Sequence, residues 1–483
     1  MSNLNQIELL NIENPIIPIN NIDGEFSDGA DVPQEDVNSN DNIIFQKEED
    51  SSINFVQNYK NTGYFGIKGD REFSCILNLV VSAIGGGCFG FPYIIYEGGI
   101  IVAIILFIFV TFSTYYSIDL LRSFVVDTKY FSFALITEKT LGPKWLKIYA
   151  VSSFIVYTSM EVTYLSSIYL YVKTMYNLDG GLFDIFYFLI SFIIEIIICI
   201  YITKIKYMHF LSIISLISFF LLILSLIIIS IVANCTNEVS NKFSSHNLFF
   251  PDLLPNTFIN KLLKISKYLM IYAFGYSYHS TFPTIIGSLN NVNNINTKKV
   301  HIISFSLIFI GYLCISLFGF ILSNEVPTEI FQENDDLFKG VWASLRKPFK
   351  YSLIIFLLFL IPIRFIVLRD NYITIFRKKK VTFFKELAIV AIFIFLCNII
   401  VFCVAEFEKY LKHLQIKTLV QSIGGFFGLI ISFCLPVVNY VSVNGKKKLK
   451  SIIGYIILLI FVLTGILSTG HTFYQIIIGE DKH

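Results

Sequence analysis

The residues Ser82-Ala83-Ile84-Gly85-Gly86-Gly87-Cys88-Phe89-Gly90-Phe91-Pro92 set four glycines and a proline in the middle of an apolar run. Glycine weakens a helix and proline interrupts its hydrogen-bond ladder, so main-chain N–H and C=O groups are left without helical partners. In a bilayer each such group is costly unless protein, water or a ligand satisfies it. The chemistry on offer is recognition rather than bond making. Carbonyls of Ser82, Ala83 and Ile84 end one half-helix and suit an ammonium group or a cation. Amides from Gly85 through Gly86, Gly87 and Cys88 to Phe89 open the next half-helix, where partial positive charge suits a carboxylate. The two ends together fit an α-amino acid, which makes Ser82 to Gly90 candidate substrate-binding positions. Close helix packing through small residues is the alternative. It explains glycines spaced by four better than three in a row followed by a proline.

A second break follows at Phe274-Gly275-Tyr276-Ser277-Tyr278-His279-Ser280-Thr281-Phe282-Pro283. Like the first, it runs through small or polar residues to a Phe-Pro pair, and proline suits the first turn of a restarted helix. Tyr272, Ala273, Phe274, Gly275 and Tyr276 are expected to line the same cavity and shape it for a side chain. Ordinary aromatic core is the competing reading in a chain with 49 Phe and 27 Tyr. Three ionisable side chains, Glu161, Glu195 and Arg364, fall inside apolar runs and should face protein or water rather than lipid. Glu161 and Arg364 are candidates for coupling or gating, with a static structural role as the alternative; Glu195 reads as structural. His279 could titrate during transport, because histidine changes charge near physiological pH. A hydrogen-bonded structural histidine is the plainer alternative.

Other chemistry finds no support. Gly85-x-Gly87-x-x-Gly90 matches the dinucleotide fingerprint formally, but that motif needs a strand before it and a soluble βαβ unit around it. There is no P-loop, His-Glu-x-x-His or Cys-x-x-Cys, so no catalytic residue, metal ligand or cofactor is expected. The net charge of +2 carries no nucleic-acid signal, since the basic residues sit in short runs between apolar segments.

The elements that must position these residues are membrane helices. Hydrophobic residues make up 55% of the 483 and charged residues only 15%, against about 25% charged in a soluble domain. Residues 1–72 read as a disordered cytoplasmic tail rich in Asn, Asp, Glu and Ser, with no signal peptide and a partner that the sequence does not identify. A transmembrane domain over 73–475 then holds eleven spans, roughly 73–97, 99–121, 146–172, 182–202, 209–232, 264–288, 300–323, 351–368, 385–405, 417–440 and 451–471. A short tail, 476–483, closes the chain. The loops at 233–263 and 324–350 are long enough for short helices.

Lys and Arg concentrate on one side of this arrangement, at Lys60 to Arg71, Arg122 to Lys147, Lys204 and Lys206, Lys298 and Lys299, Arg369 to Lys385, and Lys446 to Lys450. That side is cytoplasmic by the positive-inside rule. The sequon Asn234-Cys235-Thr236 then falls outside. Of the eight cysteines only Cys235 lies in a long loop, so no disulfide framework is expected. Breaks in spans one and six occupy matching places in two five-span halves of opposite topology. That is the pattern of an inverted-repeat transporter, with span eleven outside it.

The glycine-rich first break resembles the first-span signature of amino acid/auxin permease-type transporters, within the amino acid–polyamine–organocation superfamily. The span count, the cytoplasmic tail, the break in span six and Pro362-Ile363-Arg364 extend the resemblance over about residues 70–475. It implies an all-α membrane protein with a five-plus-five repeat that carries amino acids by alternating access. A sensor without net flux, or a carrier of another small organic solute, stays open. The resemblance also puts spans three and eight side by side near the site, so Glu161 and Arg364 are expected to pair. In the related sodium-coupled fold, span-eight hydroxyls help hold the ion; residues 353–368 contain no Ser or Thr. Proton-coupled or uncoupled transport is therefore expected, in the plasma membrane or a vacuole- or lysosome-like organelle.

Overall fold

A computed structural model of the chain describes residues 71–176, 181–202, 208–235, 258–322, 348–361, 364, 368, 383–410, 416–445 and 449–478. Residues 1–70 of the expected tail, most of the two long loops, Thr236 of the sequon, Pro362, Ile363 and residues 479–483 lie outside them. Among the described residues every regular element is helical. In chain order they are α1 (Arg71–Ala83), a 3₁₀ turn (Gly86–Gly90), α2 (Phe91–Gly98), α3 (Ile100–Thr128), α4 (Phe133–Leu141), α5 (Pro143–Tyr176), α6 (Gly181–Ile202), α7 (Met208–Cys235), α8 (Phe258–Gly275), α9 (Phe282–Gly287) and α10 (Asn294–Leu322). After these come α11 (Pro348–Ile361), α12 (Phe383–Tyr410), α13 (Ile416–Leu429), a π turn (Ile430–Cys434), α14 (Leu435–Asn444) and α15 (Leu449–Ile478).

Five stretches, Ile100–Thr128, Phe210–Ile231, Asn294–Ile321, Ser422–Asn444 and Leu449–Tyr474, are long and apolar enough to cross a bilayer. The segments Glu72–Ala83 and Gly87–Gly98 pass the same test as one span bent by 51°. Shorter apolar helices run over Phe186–Ile197, Pro348–Ile361 and Ala388–Val404. Phe186, Ile190, Ile193 and Ile197 on α6 are exposed, as are Ile452, Leu459, Leu463 and Ile466 on α15. Apolar surface of that extent requires lipid or a partner in place of water.

Helix α1 begins at Arg71, just ahead of the expected boundary at residue 73, and Glu72 explains why. An acidic residue in a first turn complements the helix dipole, and Glu72 accepts a bond from Lys299 Nζ at 2.8 Å. Residues assigned to the cytoplasmic side by charge alone also meet one another. Asp119 near the end of α3 pairs with Arg122 at 2.7 Å and with Lys450 of α15 at 3.4 Å, while Arg122 Nη1 donates to Asn294 Oδ1 at 2.5 Å. On the opposite side Glu97 pairs with Lys264 at 3.3 Å. Gly99, with φ 79°, lets α2 turn into α3.

The core gathers α1, α2, α5, α8, α10 and α13. Helix α5 packs on α13, α15 on α8, and α10 on both α1 and α2. Helix α13 can approach closely because it carries glycines. A Cβ at Gly425 would lie 3.1 Å from Met270, and one at Gly424 would collide with Ser159. The π turn leads into α14, whose second residue is Pro436, and the proline ring cannot serve an α-helical ladder.

Candidate functional site at two helix breaks

The first break forms where the sequence puts its glycines. The last main-chain bond of α1 runs from the Ile84 amide to the Val80 carbonyl at 2.9 Å. Gly85 is then extended, with φ −117° and ψ 173°. Cys88 N–H returns to the Gly85 carbonyl at 3.2 Å, so Cys88, Phe89 and Gly90 lie in the 3₁₀ turn, and α2 restarts at Phe91-Pro92. Among the described residues the amides of Gly85 and Gly87 have no main-chain acceptor. Ser82 and Ala83 are still helical, and Ser82 Oγ donates back to the Leu79 carbonyl at 2.9 Å.

The second break opens at Gly275. Helix α8 carries Tyr272, Ala273, Phe274 and Gly275 in its last turn, and α9 restarts at Phe282-Pro283. The two breaks touch. A Cβ added to Gly87 would lie 3.1 Å from the Gly275 Cα and 3.1 Å from Phe274 Cδ1. A Cβ on Gly275 would run into the Phe91 ring. The two glycines thus leave room for main chain to meet main chain.

One side chain fastens both ends. Tyr312 of α10 is fully buried, and its hydroxyl is bonded to the carbonyls of Ala83 and Gly275 at 2.6 Å each. Its single proton is shared between the terminal carbonyls of two half-helices, the groups that a helix end leaves unsatisfied.

Residues 273–276 do not all face one cavity, contrary to expectation. Tyr272 and Tyr276, one helical turn apart, pack toward α3 and α10: Tyr272 lies 4.8 Å from the Phe91 ring, and Tyr276 lies 4.8 Å from the Tyr312 ring and bonds Thr111 Oγ1 at 2.9 Å. Phe274 points the other way, to Gly87 and to Gly424 and Gly428 of α13. Positions two residues apart on a helix diverge by about 200°, so a run of four consecutive residues cannot share one wall.

Arg364 reaches the first break. Its Nη2 donates to Tyr164 Oη at 2.9 Å and its Nη1 to Met160 Sδ at 2.6 Å, with the guanidinium 5.7 Å from the Tyr164 ring centre and 6.0 Å from that of Tyr157. A Cβ on Gly85 would sit 2.6 Å from Tyr164 Oη and 3.0 Å from Arg364 Nη2. Tyr157 in turn bonds Ser280 of the second break. The expected Glu161–Arg364 ion pair is not formed. Glu161 lies within electrostatic reach of both Arg364 and Glu195, but Met160 and Tyr164 of α5 take the guanidinium's hydrogen bonds in its place. Glu161 Oε1 has no hydrogen-bond partner, whereas Glu195 accepts from Ser191 at 2.7 Å and from Asn398 at 3.3 Å. His279 is fully buried between Tyr278 and Phe433, and neither ring nitrogen has a partner among the described residues.

The sequence reading passed over Tyr312, Tyr157, Tyr164 and the α13 glycines. The tyrosines carry no spacing signal among 27 of their kind. The run Gly424-Gly425-x-x-Gly428 is a small-residue packing pattern that could have been read. Among the described residues no three His, Cys, Asp or Glu side chains gather as a metal cage.

The same arrangement of helices recurs in known proteins. The family model for transmembrane amino acid transporter protein matches residues 71–478. No curated protein matches the sequence. Among solved structures, a mutant of the manganese transporter of Eremococcus coleocola superposes with a TM-score of 0.60 at 8% identity, covering 86% of this chain and 89% of that one. A Na+-coupled sialic acid symporter in a substrate-bound outward-open state gives 0.56 at 12% identity, covering 91% and 96%. At such identities the likeness is one of fold.

Proposed function

This chain belongs to the transmembrane amino acid transporter family, and from that premise we propose that it carries amino acids across a membrane by alternating exposure of a site between its two helix breaks. It is a membrane transporter rather than an enzyme. The observation that carries the reading is the contact of Gly87 with Gly275, where two unwound segments meet around unsatisfied main-chain groups. Unwound backbone at membrane depth is tolerated where it lines a cavity, and half-helix ends there hold substrate.

The fuller architecture is part of the proposal: eleven spans, five-plus-five inverted halves and a cytosolic N-terminus. Helix covers each of the eleven expected segments at least in part, and both breaks end in a Phe-Pro restart. Ser82 to Gly90 and Phe274 form the substrate-facing set, with Tyr272 and Tyr276 as supports behind it. Glu161 and His279 are assigned to coupling, and transport is assigned as sodium-independent, either proton-coupled or uncoupled. The Na+-coupled sialic acid symporter shares the fold, so sodium dependence is the direct competitor. Uptake and counterflow of radiolabelled amino acids in proteoliposomes test the reading. Saturable flux with counterflow supports it; ligand binding without flux would make the protein a sensor instead.

A further inference from the structure

Arg364 is only 4% exposed and makes no ion pair among the described residues. A guanidinium has five N–H donors and no acceptor, yet here its acceptors are one phenol oxygen and one thioether sulfur, the latter a weak partner. A buried charge left without a counter-ion is strongly unfavourable, and cation–π contact with Tyr157 and Tyr164 offsets only part of that. The group is also aimed. Nη2 stands 3.0 Å from where a Cβ of Gly85 would be, against the extended residue that starts the unwound segment. Anionic help from protein is indirect, because Glu161 is within electrostatic reach of Arg364 without forming an ion pair and also feels the charge of Glu195.

Two acceptors at the opposite pole of the site are already taken. The carbonyls of Ala83 and Gly275, which end the two half-helices and would attract a cation, both receive the Tyr312 hydroxyl at 2.6 Å. Two acceptors at the break are therefore occupied, while the amides of Gly85 and Gly87 keep no main-chain acceptor among the described residues.

We propose that Arg364 anchors the carboxylate of the transported solute, and that the site reads that carboxylate in preference to the ammonium group. Small organic carboxylates without an amine then belong to the ligand class. This rests on the transport reading above and deepens it. Guanidinium and carboxylate match as a two-pronged fork, which lysine cannot reproduce.

The test uses the full chain in proteoliposomes with three probe sets: L-alanine, ethylamine and propionate; L-leucine, isoamylamine and 4-methylpentanoate; L-phenylalanine, phenethylamine and 3-phenylpropanoate. The deaminated acids should compete with the parent amino acid to within about tenfold, since the forked contact is kept. The amines should compete at least ~30-fold more weakly. Charge-assisted hydrogen bonds of this kind correspond to an affinity factor of about 10–100. Arg364→Gln should raise the half-saturation of amino acids and acids by that factor, and Arg364→Lys by an intermediate amount. Thermal stabilisation of the wild-type protein in detergent by each probe gives a reading independent of the variants and of flux, with stabilisation by the acids and not the amines expected. Amines that compete as well as the amino acids, or Arg364→Gln with unchanged half-saturation, would overturn the anchor while leaving transport standing. Stabilisation by the acids with no flux of any probe would keep the anchor and overturn transport.

Discussion

Gly87 lies directly against Gly275, so that a Cβ on the first would come within 3.1 Å of the Cα of the second. Each glycine belongs to a different broken helix, and the contact is main chain to main chain. The neighbour cannot yield as a flexible side chain would. Gly87→Val should therefore abolish saturable uptake and cost about 1–3 kcal/mol through overpacking, with the protein still inserted in the membrane. Gly87→Ala should retain a reduced rate. Uptake by the Val variant at the wild-type rate, measured against surface-accessible protein, would remove this contact from the transport site.

Tyr312 joins the ends of both half-helices through one hydroxyl. Tyr312→Phe keeps the ring that packs against Phe91 and Tyr276 but leaves two buried carbonyls without a donor. The expected cost is about 1–3 kcal/mol for each group left unsatisfied, read as a lower melting temperature in detergent. An unchanged melting temperature would mean that water or a neighbouring donor takes the hydroxyl's place.

The contact of α13 with α5 is as tight. A Cβ on Gly424 would collide with Ser159. Gly424→Ala should destabilise the protein, and Ser159→Gly added to it should restore most of the loss, because it removes the opposing Cβ. A double-mutant cycle in thermal unfolding measures this coupling. Additive effects would show that the helices separate instead.

Much of this was legible in the sequence, for identifiable reasons. The first break was readable because glycine and proline act locally, whatever surrounds them. Lys and Arg were readable as marks of the helix ends, and at such ends Glu72 meets Lys299 and Asp119 meets Lys450. Side-chain direction was not readable. Glu161 and Arg364 are both buried ionisable groups, but their pairing depended on the rotation of α5, which brings Tyr164 and Met160 to the guanidinium instead. Phe274 and Tyr276 diverged for the same reason. Tyr312 was hidden because its role comes from where α10 packs, and an apolar run around a tyrosine says nothing of that.

Glu161 is almost fully buried, has one oxygen without a hydrogen-bond partner, and stands beside Glu195. Glutamine at this position keeps the volume but cannot take up and release a proton. Glu161→Gln should lose accumulation driven by an inward proton gradient and keep exchange of substrate in counterflow. Gradient-driven accumulation at the wild-type level would take Glu161 out of coupling and leave His279, tested by His279→Gln in the same assay, as the remaining assigned carrier.

Replacing sodium by choline at constant pH should leave uptake within about twofold. Sodium takes oxygen ligands, and the described part of α11, Pro348–Ile361, offers one side-chain hydroxyl at Ser352 and one at Tyr351, both in its first half. Farther along the chain Arg364 brings a fixed positive charge to the first break, which opposes a cation arriving there. The half-helix carbonyls of Ala83 and Gly275, otherwise suited to a cation, are held by the Tyr312 hydroxyl. Each feature disfavours sodium independently. Tyr312→Phe frees the carbonyls without adding charge, so even a partial sodium stimulation confined to that variant would identify the hydroxyl as what keeps the ion out. Uptake by the wild-type protein that collapses in choline would instead require a sodium site elsewhere and would reverse the assignment.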